Sequence, residues 1–140
     1  MATLSHQIRV SAPPDRVYEA ISTNDGVTGW FTADLGGTVG SGGEALLKFT
    51  GHEPFRWRFT EVSPGARLRW ECTQGPGAAA GTTATFSLSR TADGRTQVDL
   101  DHDGFTETDP ALATCNTLWG ILLGHLKNDA ETAVPSPAFE

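Results

Sequence analysis

Alternating apolar and polar residues run through most of the chain and predict a series of β-strands. The clearest case is residues 55–60, where Phe55, Trp57 and Phe59 alternate with two arginines and a threonine. The same period of two recurs in further segments, at residues 4–10, 44–50, 67–72, 84–88 and 97–102. Because short turns such as Asp93-Gly94 join consecutive segments, the pattern predicts an antiparallel meander with one apolar face.

The C-terminal part of the chain predicts a long amphipathic helix that covers this apolar face. Asp109 is a suitable N-cap, Pro110 a suitable first helical residue, and prolines at 135 and 137 a suitable end. The apolar stripe comprises Leu112, Cys115, Trp119, Leu122, Leu126 and Ala130, widened by Leu118 and Leu123. A helix from Asp109 to about Thr132 would be ~36 Å long, close to the diameter implied by a radius of gyration of ~14 Å. The helix must therefore lie right across the domain, and a sheet that curls around it is the simplest closure.

Two short helical segments are predicted between the first strand and the rest of the sheet. Ser11 to Asp15 contains two prolines and an acidic residue, as expected for a first helical turn. Val17, Ala20 and Ile21 form its apolar stripe, Asn24-Asp25-Gly26 is expected to end it, and a brief segment follows at residues 27–31. The predicted fold is α+β, with a curved antiparallel sheet of six to seven strands around the long C-terminal helix.

Composition restricts the class of protein. The chain has 140 residues, 38% of them hydrophobic, which suits a single domain spanning residues 1–140. Ten Lys and Arg against seventeen Asp and Glu give a net charge of −7, which argues against nucleic acid or an anionic membrane as partner. Without a signal-peptide pattern, and with two cysteines only, the chain is expected to be cytoplasmic.

Several strings along the chain resemble the START-like, or SRPBCC, superfamily and its helix-grip fold. Within it, the chain is most similar to the bacterial branch homologous to the activator of the heat-shock-protein ATPase (Aha-type C-terminal domain-like), as a stand-alone single domain. The matching strings are residues 8–21, 29–31, 55–57, 100–105 and 119–127. The resemblance implies a cavity between sheet and helix, lined by aromatic rings around an apolar ligand, and no obligatory metal or organic cofactor.

Aromatic residues on the inferred inward faces are the candidates for lining such a cavity. The chain has four tryptophans, and the inferred inward positions hold most of them. The predicted lining residues are Trp30, Phe31, Phe49, Trp57, Trp70, Phe86, His102, Trp119 and Leu123. The alternative is that these rings simply fill the interior.

His102 is the sole candidate for acid–base chemistry, and a weak one. It is in phase with Val98 and Leu100, so its imidazole is expected to point towards the helix. The alternative is a structural histidine with its hydrogen bonds satisfied. His6, His52 and His125 are too scattered to predict a metal site together with it.

Other patterns do not support a functional site. Residues 99–104 repeat the first half of an EF-hand loop, but the position of the bidentate glutamate is Pro110. Cys72 and Cys115 are both in phase with the apolar face and are expected to be buried thiols. Outward-facing arginines on two neighbouring strands, with glutamates among them, predict a solvated charge ladder; they are Arg56, Arg58, Arg67 and Arg69.

Three functions remain open at this point. The first is binding of a small apolar ligand, aromatic or lipid-like, between the sheet and the C-terminal helix. The second is an enzyme of the same fold, cyclase-, aromatase- or hydrolase-like, with His102 as acid–base. The third is a protein-interaction module that regulates an ATPase or another partner through the arginine ladder. Each fits a monomer or a homodimer.

Overall fold

The computed structural model describes residues 2–48, 51, 53–75 and 79–139. These residues form seven strands and three helices. In chain order the elements are β1 (Ala2–Val10), α1 (Pro14–Ser22), α2 (Asn24–Thr28), β2 (Asp34–Gly37), β3 (Glu44–Lys48), β4 (Phe55–Ser63), β5 (Arg67–Gln74), β6 (Thr83–Arg90), β7 (Thr96–Phe105) and α3 (Ala111–Thr132). The predicted α+β class and the order of its elements are confirmed.

The strands form one antiparallel sheet with the order β1-β7-β6-β5-β4-β3-β2. Strands β2 to β7 follow one another as a meander, and β1 closes the order beside β7. The register pairs Phe59 with Trp70 and Phe86 with Leu100, so the apolar positions of neighbouring strands share one face. That face carries the hydrophobic core, since each of these four side chains is buried.

Helix α3 lies on this apolar face and confirms the predicted cover. Its 22 residues correspond to a length of about 33 Å. The predicted stripe is buried except at Leu112 and Leu118, which are half-buried. The helix ends at Thr132, before the prolines, because Ala133 takes a left-handed conformation with a φ of 57°.

Local capping explains a difference between prediction and structure near α1. Helix α1 ends at Ser22, just before the predicted stop, but Asn24-Asp25-Gly26 are themselves helical and form the first turn of α2. The Thr23 hydroxyl accepts a hydrogen bond from the Gly26 amide at 2.9 Å and so caps this second helix. The first strand of the meander, β2, was not singled out by the alternation, because two of its four residues are glycine.

The outer face of the sheet carries the predicted charge ladder. Arg56 and Arg58 form salt bridges with Glu44 and Glu71, at 3.5 and 3.4 Å. All four side chains are substantially exposed, so these pairs contribute little to stability. The ladder is a solvated surface on the side of the sheet opposite α3.

Candidate functional site

A continuous cluster of aromatic rings fills the space between the sheet and α3. Trp70, which is fully buried on β5, is at its centre. The rings whose centroids lie within 5.1–6.5 Å of Trp70 are Trp30, Phe31, Trp57, Phe59, Phe86 and Trp119. Such stacked, tilted and edge-on pairs are favourable beyond the area they bury. The cluster is therefore a closely packed aromatic core.

A small pocket lies at one edge of this cluster, beneath the N-terminal half of α3. Its lining comprises Phe31, Phe55, Trp57, His102, Cys115, Leu118, Trp119 and Leu122. The total empty volume is about 280 Å³, including narrow gaps and the part open to solvent. The centre of a water molecule can occupy only about 10 Å³ of it, which is room for about one water. The volume open to the centre of a water molecule decides what can enter. The pocket is therefore closed to larger molecules in this conformation.

The pocket is built from one end of the sheet. Phe55 and Trp57 come from the start of β4, and His102 comes from the C-terminal half of β7. The lining residues of α3 all lie between positions 115 and 122. Alternation on the strands and the 3–4 spacing on the helix therefore converge on the same space.

His102 links α3 to the loop that precedes β6. The Trp119 indole Nε1–H donates to His102 Nδ1 at 2.8 Å, so the ring proton of the neutral imidazole is on Nε2. His102 Nε2 lies 2.7 Å from the Thr82 hydroxyl oxygen, which accepts a hydrogen bond from the Nε2–H group. The Thr82 hydroxyl in turn donates to the Ala79 carbonyl at 2.5 Å. One directed chain of hydrogen bonds thus connects Trp119, His102, Thr82 and Ala79.

Burial keeps the His102 imidazole neutral. The side chain is 1% exposed, and desolvation lowers its pKa from 6.5 to about 4. At neutral pH both ring nitrogens are engaged, one as acceptor and one as donor. In this arrangement His102 orients Trp119 and the Thr82 loop.

The four tryptophans differ in whether their indole N–H is bonded. Trp30 Nε1 donates to the Ala20 carbonyl at 2.7 Å, and Trp119 donates to His102 as described. Trp57 Nε1 and Trp70 Nε1 are buried and have no hydrogen-bond partner among the described residues. Buried donors without an acceptor are uncommon and call for an explanation.

Two thiols and one carboxylate complete the buried polar groups in this region. Burial raises the pKa of Cys72 to about 12, and burial together with the charge of Asp109 raises the pKa of Cys115 to about 11. Both groups are therefore thiols, not thiolates, near neutral pH. Asp109 Oδ1 accepts a hydrogen bond at 2.8 Å from the amide of Ala111, the first residue of α3, while its buried Oδ2 has no partner in the described part of the chain.

The segment after α3 supports Phe31 from behind. The amides of Ser136, Ala138 and Phe139 donate to the carbonyls of residues 29, 30 and 31 at 2.9–3.1 Å. The Phe139 ring lies 6.4 Å from that of Phe31. Nothing in the alternation or helical spacing predicts this support, because it depends on backbone atoms.

The structure brings part of the predicted set together around the pocket. Phe31, Trp57, His102 and Trp119 line it, and Phe55, Cys115, Leu118 and Leu122 join them. The apolar periodicity places this second group on the inward faces but does not assign it to a cavity. Four predicted residues, Trp30, Trp70, Phe86 and Leu123, are buried in the core and outside this lining. Phe49 lies outside the described residues, as does His52.

The acidic residues of β7 belong to the outer face of the sheet. Asp99 and Asp101 accept hydrogen bonds from Gln7 and Ser5 on the outer face of β1 and β7. No group of three or more His, Cys, Asp or Glu side chains in the described ranges could hold a metal ion. Within the same ranges, no helix has both the length and the apolar character needed to cross a membrane.

Several solved structures share this architecture. The solution structure of the Aha1 dimer from Colwellia psychrerythraea has a TM-score of 0.83 and 28% identity, over 94% of this chain and 98% of that chain. DynU16, from the dynemicin biosynthetic locus, has a TM-score of 0.75 and 24% identity, over 95% of this chain and 48% of that one. CalU16 from Micromonospora echinospora has a TM-score of 0.74 and 20% identity, over 96% and 68%. The last two likenesses concern the fold alone.

Family membership follows from the sequence match together with this fold. No curated protein matches the chain. The curved seven-stranded sheet around a long C-terminal helix is the helix-grip arrangement that the resemblance predicted. Residues 11–131 match the family described as Activator of Hsp90 ATPase homolog 1-like protein. The chain belongs to that family, as a START-like domain.

Proposed function

We propose that this chain binds a small apolar ligand, aromatic or lipid-like, in the pocket between the sheet and the N-terminal half of α3. The observation that carries the proposal is the pocket itself, walled by the rings of Phe31, Phe55, Trp57 and Trp119. Ligand sites are typically concave and apolar, with few polar groups that fix orientation. The pocket fits this description, with His102 as its buried polar side chain.

Ligand binding requires the pocket to widen. Typical ligand sites have volumes of about 300–1,000 Å³, whereas this one admits about one water molecule. Leu118 is half-buried and lies on α3, so it is the lining residue that can move with the least loss of packing. We expect the ligand to displace Leu118 and the helical turn that carries it.

The polar groups of the pocket favour binding over catalysis. An acid–base histidine needs a free nitrogen and a pKa near the working pH, whereas both nitrogens of His102 are engaged and its pKa is about 4. A nucleophilic cysteine needs thiolate character, whereas the pKa of Cys115 is raised to about 11. The enzyme alternative therefore has less support than the binding function.

A second proposal concerns assembly as a homodimer. The similar protein from Colwellia psychrerythraea is a dimer. On this chain Ile121 is a large hydrophobic side chain that is 47% exposed and lines a shallow groove with Gly120 and Gly124. Val134, in the segment after α3, is 61% exposed. Light scattering after size-exclusion chromatography should give twice the chain mass, and Ile121→Asp should reduce it to that of a monomer. A monomer in the unsubstituted protein would refute this proposal.

The binding proposal is tested with the purified full chain. Native mass spectrometry identifies any co-purified molecule, and ligand-observed NMR screens bicyclic aromatics and medium-chain fatty acids. We expect micromolar binding of at least one bicyclic aromatic compound. Leu118→Trp should fill the pocket and weaken this binding at least about tenfold, since a side chain of that size occupies the available space.

Leu112→Trp provides the matched control. Leu112 is also half-buried on α3 but does not line the pocket, so the same substitution should leave the affinity unchanged. Absence of binding across the panel, or equal effects of the two substitutions, would contradict the proposed site. The cytoplasmic location, the single domain and the absence of a cofactor stay predictions from the sequence.

A further inference from the structure

One wall of the pocket comes from a loop, whereas the other described walls come from the sheet and α3. Phe31 lies between the end of α2 at Thr28 and the start of β2 at Asp34. The remaining lining side chains that the structure describes belong to β4, β7 or α3. Those elements are fixed by their own regular hydrogen bonds. The position of Phe31 therefore depends most on its local attachments.

The segment after α3 supplies several of these attachments. The Phe31 amide donates to the Val27 carbonyl of α2 at 2.9 Å. In turn the Phe31 carbonyl accepts a hydrogen bond from the Phe139 amide at 3.1 Å, and the Trp30 carbonyl accepts one from the Ala138 amide at 3.0 Å. The Phe139 ring lies 6.4 Å from the Phe31 ring. Both the backbone and the ring of Phe31 are thus in contact with this segment.

Residues 135–139, which we call the strap, are held mainly through their backbone. Pro135 and Pro137 have no amide hydrogen, and each of the other three amides donates to a carbonyl of residues 29–31. Residues 135 and 136 are exposed, and residues 137–139 are half-buried. A segment with few hydrogen bonds and little buried apolar area opens at low free energy. The strap is therefore expected to open before the sheet or α3 does.

The Phe31 ring lies between the strap and the aromatic cluster. On the inner side the rings of Trp70 and Trp119 are 6.2 Å away, and the Phe31 side chain is 2% exposed. Rotation of this ring away from Trp119 would add the volume of a phenyl ring to the pocket. With the strap in place, the Phe139 ring and the backbone hydrogen bonds oppose that rotation.

We propose that the strap keeps the pocket small, and that its release lets Phe31 rotate away from Trp119 and makes room for a larger ring system. This inference rests on the proposed binding function and adds a control over the size of the ligand. Movement of Leu118 gives access from the helix, while release of the strap decides how much space the ligand finds. A ligand that needs the open state binds more weakly in proportion to the fraction of molecules that are open.

The test compares phenanthrene, which has three fused rings, with naphthalene, which has two. Fluorescence titration of the full chain gives the dissociation constants of both, and their ratio is compared between variants. Phe139→Ala removes the ring that contacts Phe31, so the open state becomes more populated. We expect phenanthrene to bind about tenfold more tightly to this variant, as for a rise in the open fraction from about one tenth to nearly all molecules. Naphthalene should gain less, because it needs less room.

Val134→Ala is the matched control. Val134 directly precedes the strap, is 61% exposed, and its amide bonds to Thr132 rather than to residues 29–31. This variant should keep the ratio of the unsubstituted protein. A ratio that is unchanged by Phe139→Ala, or raised equally by Val134→Ala, would overturn the role of the strap while leaving the apolar site intact. If neither compound binds the unsubstituted protein or Phe139→Ala, the proposed function and this inference both fail.

A second measurement needs no variant. Hydrogen exchange of the unsubstituted protein is followed by mass spectrometry with and without phenanthrene. We expect the strap amides to exchange several-fold faster in the complex, because their acceptors move with the Phe31 loop, whereas amides 126–132 of α3 keep their rates. Unchanged or slower exchange of the strap in a complex that forms would refute its release.

Discussion

The two halves of α3 are attached to the rest of the protein in different ways. Polar bonds hold the C-terminal half to α1 and β1. Arg16 donates to the Asp129 carbonyl at 3.1 Å and lies 3.5 Å from its carboxylate. Lys127 donates to the Arg9 carbonyl at 2.6 Å, and Glu131 accepts the Ser11 amide at 2.7 Å. This half is clamped where the chain leaves the first strand.

The N-terminal half covers the pocket and has fewer polar attachments. Among the described residues, its side chains reach the sheet through Asn116, 3.0 Å from His6, and through Trp119, 2.8 Å from His102. The remaining contacts are apolar and adjoin the empty space beneath Leu118. A helix that is anchored at one end and covers a pocket at the other is expected to move away from the sheet at the second end. We therefore expect ligand access to be gained there.

The largest expected effect comes from the same substitution in each half. Leu126 is fully buried in the clamped half, and Leu118 is half-buried over the pocket. Leu126→Ala should lower the free energy of unfolding by about 3–4 kcal/mol, since it creates a cavity in close-packed surroundings. Leu118→Ala should cost about 1 kcal/mol or less, because less apolar surface is lost. Urea denaturation measures both.

The two substitutions should also differ in their effect on ligand affinity, and here the larger effect is expected at Leu118. Leu118→Ala enlarges the pocket, so affinity for naphthalene measured by calorimetry should rise, while Leu126→Ala should leave it unchanged. Equal losses of stability in the two variants would show that the two halves are packed alike, which would contradict the comparison.

The next effect is a pH dependence at the pocket. The pKa of His102 is about 4 in the folded protein against 6.5 when unperturbed. Between these values the unfolded chain takes up a proton that the folded protein does not, so stability falls as pH decreases through this window. The shift corresponds to about 3 kcal/mol, fully present above pH 6.5 and lost by about pH 4. His102→Gln cannot titrate, and its Oε1 and Nε2 can retain both hydrogen bonds.

The measurement is urea denaturation of both proteins between pH 7 and pH 4. The difference in free energy of unfolding between the unsubstituted protein and His102→Gln should change by most of this ~3 kcal/mol. All other titratable groups are shared by the two proteins. Parallel pH profiles would mean that the imidazole is not buried as a neutral group, and the attachment of Trp119 through it would be wrong.

The architecture was predictable because it depends on periodicity. Alternation around Trp57 and Trp70, and the 3–4 spacing of Leu122 and Leu126, report directly which side chains face the core. Capping by Thr23 was less visible, because its hydroxyl bond competes with a turn signal at Asn24-Asp25-Gly26. Local chemistry of that kind decides element boundaries.

The pocket was predictable only as a tendency. Parity puts Trp57, Trp70 and Phe86 on the same face, but it cannot tell which of them borders empty space. That distinction depends on how the rings pack against α3 and on which indole finds a carbonyl, as Trp30 does at Ala20. The hydrogen-bond chain of His102 likewise depends on Thr82, whose hydroxyl donates to the Ala79 carbonyl in the loop before β6.

A smaller effect is expected from breaking the clamp of the C-terminal half. Arg16→Met leaves the buried Asp129 carboxylate without its cation, and burial already raises the pKa of that carboxyl. We expect a loss of about 2 kcal/mol at pH 7, below the value for a fully buried pair because Arg16 is partly exposed. The deficit should shrink as pH falls, since protonation of Asp129 removes the unpaired charge. Arg69→Met, on the exposed ladder, should change stability by less than about 0.5 kcal/mol.

The smallest expected effect on global stability is also the most direct probe of the difference between the two halves. Asn116→Ala removes the exposed hydrogen bond to His6 and introduces a better helix former, so the free energy of unfolding should change by less than about 0.5 kcal/mol. Local opening should nevertheless become easier where few polar bonds remain. Native-state hydrogen exchange should therefore accelerate several-fold at amides 115–122 and stay constant at amides 126–132. Uniform acceleration would mean that α3 opens as one unit, and access to the pocket would then require release of the clamp at Asp129 as well.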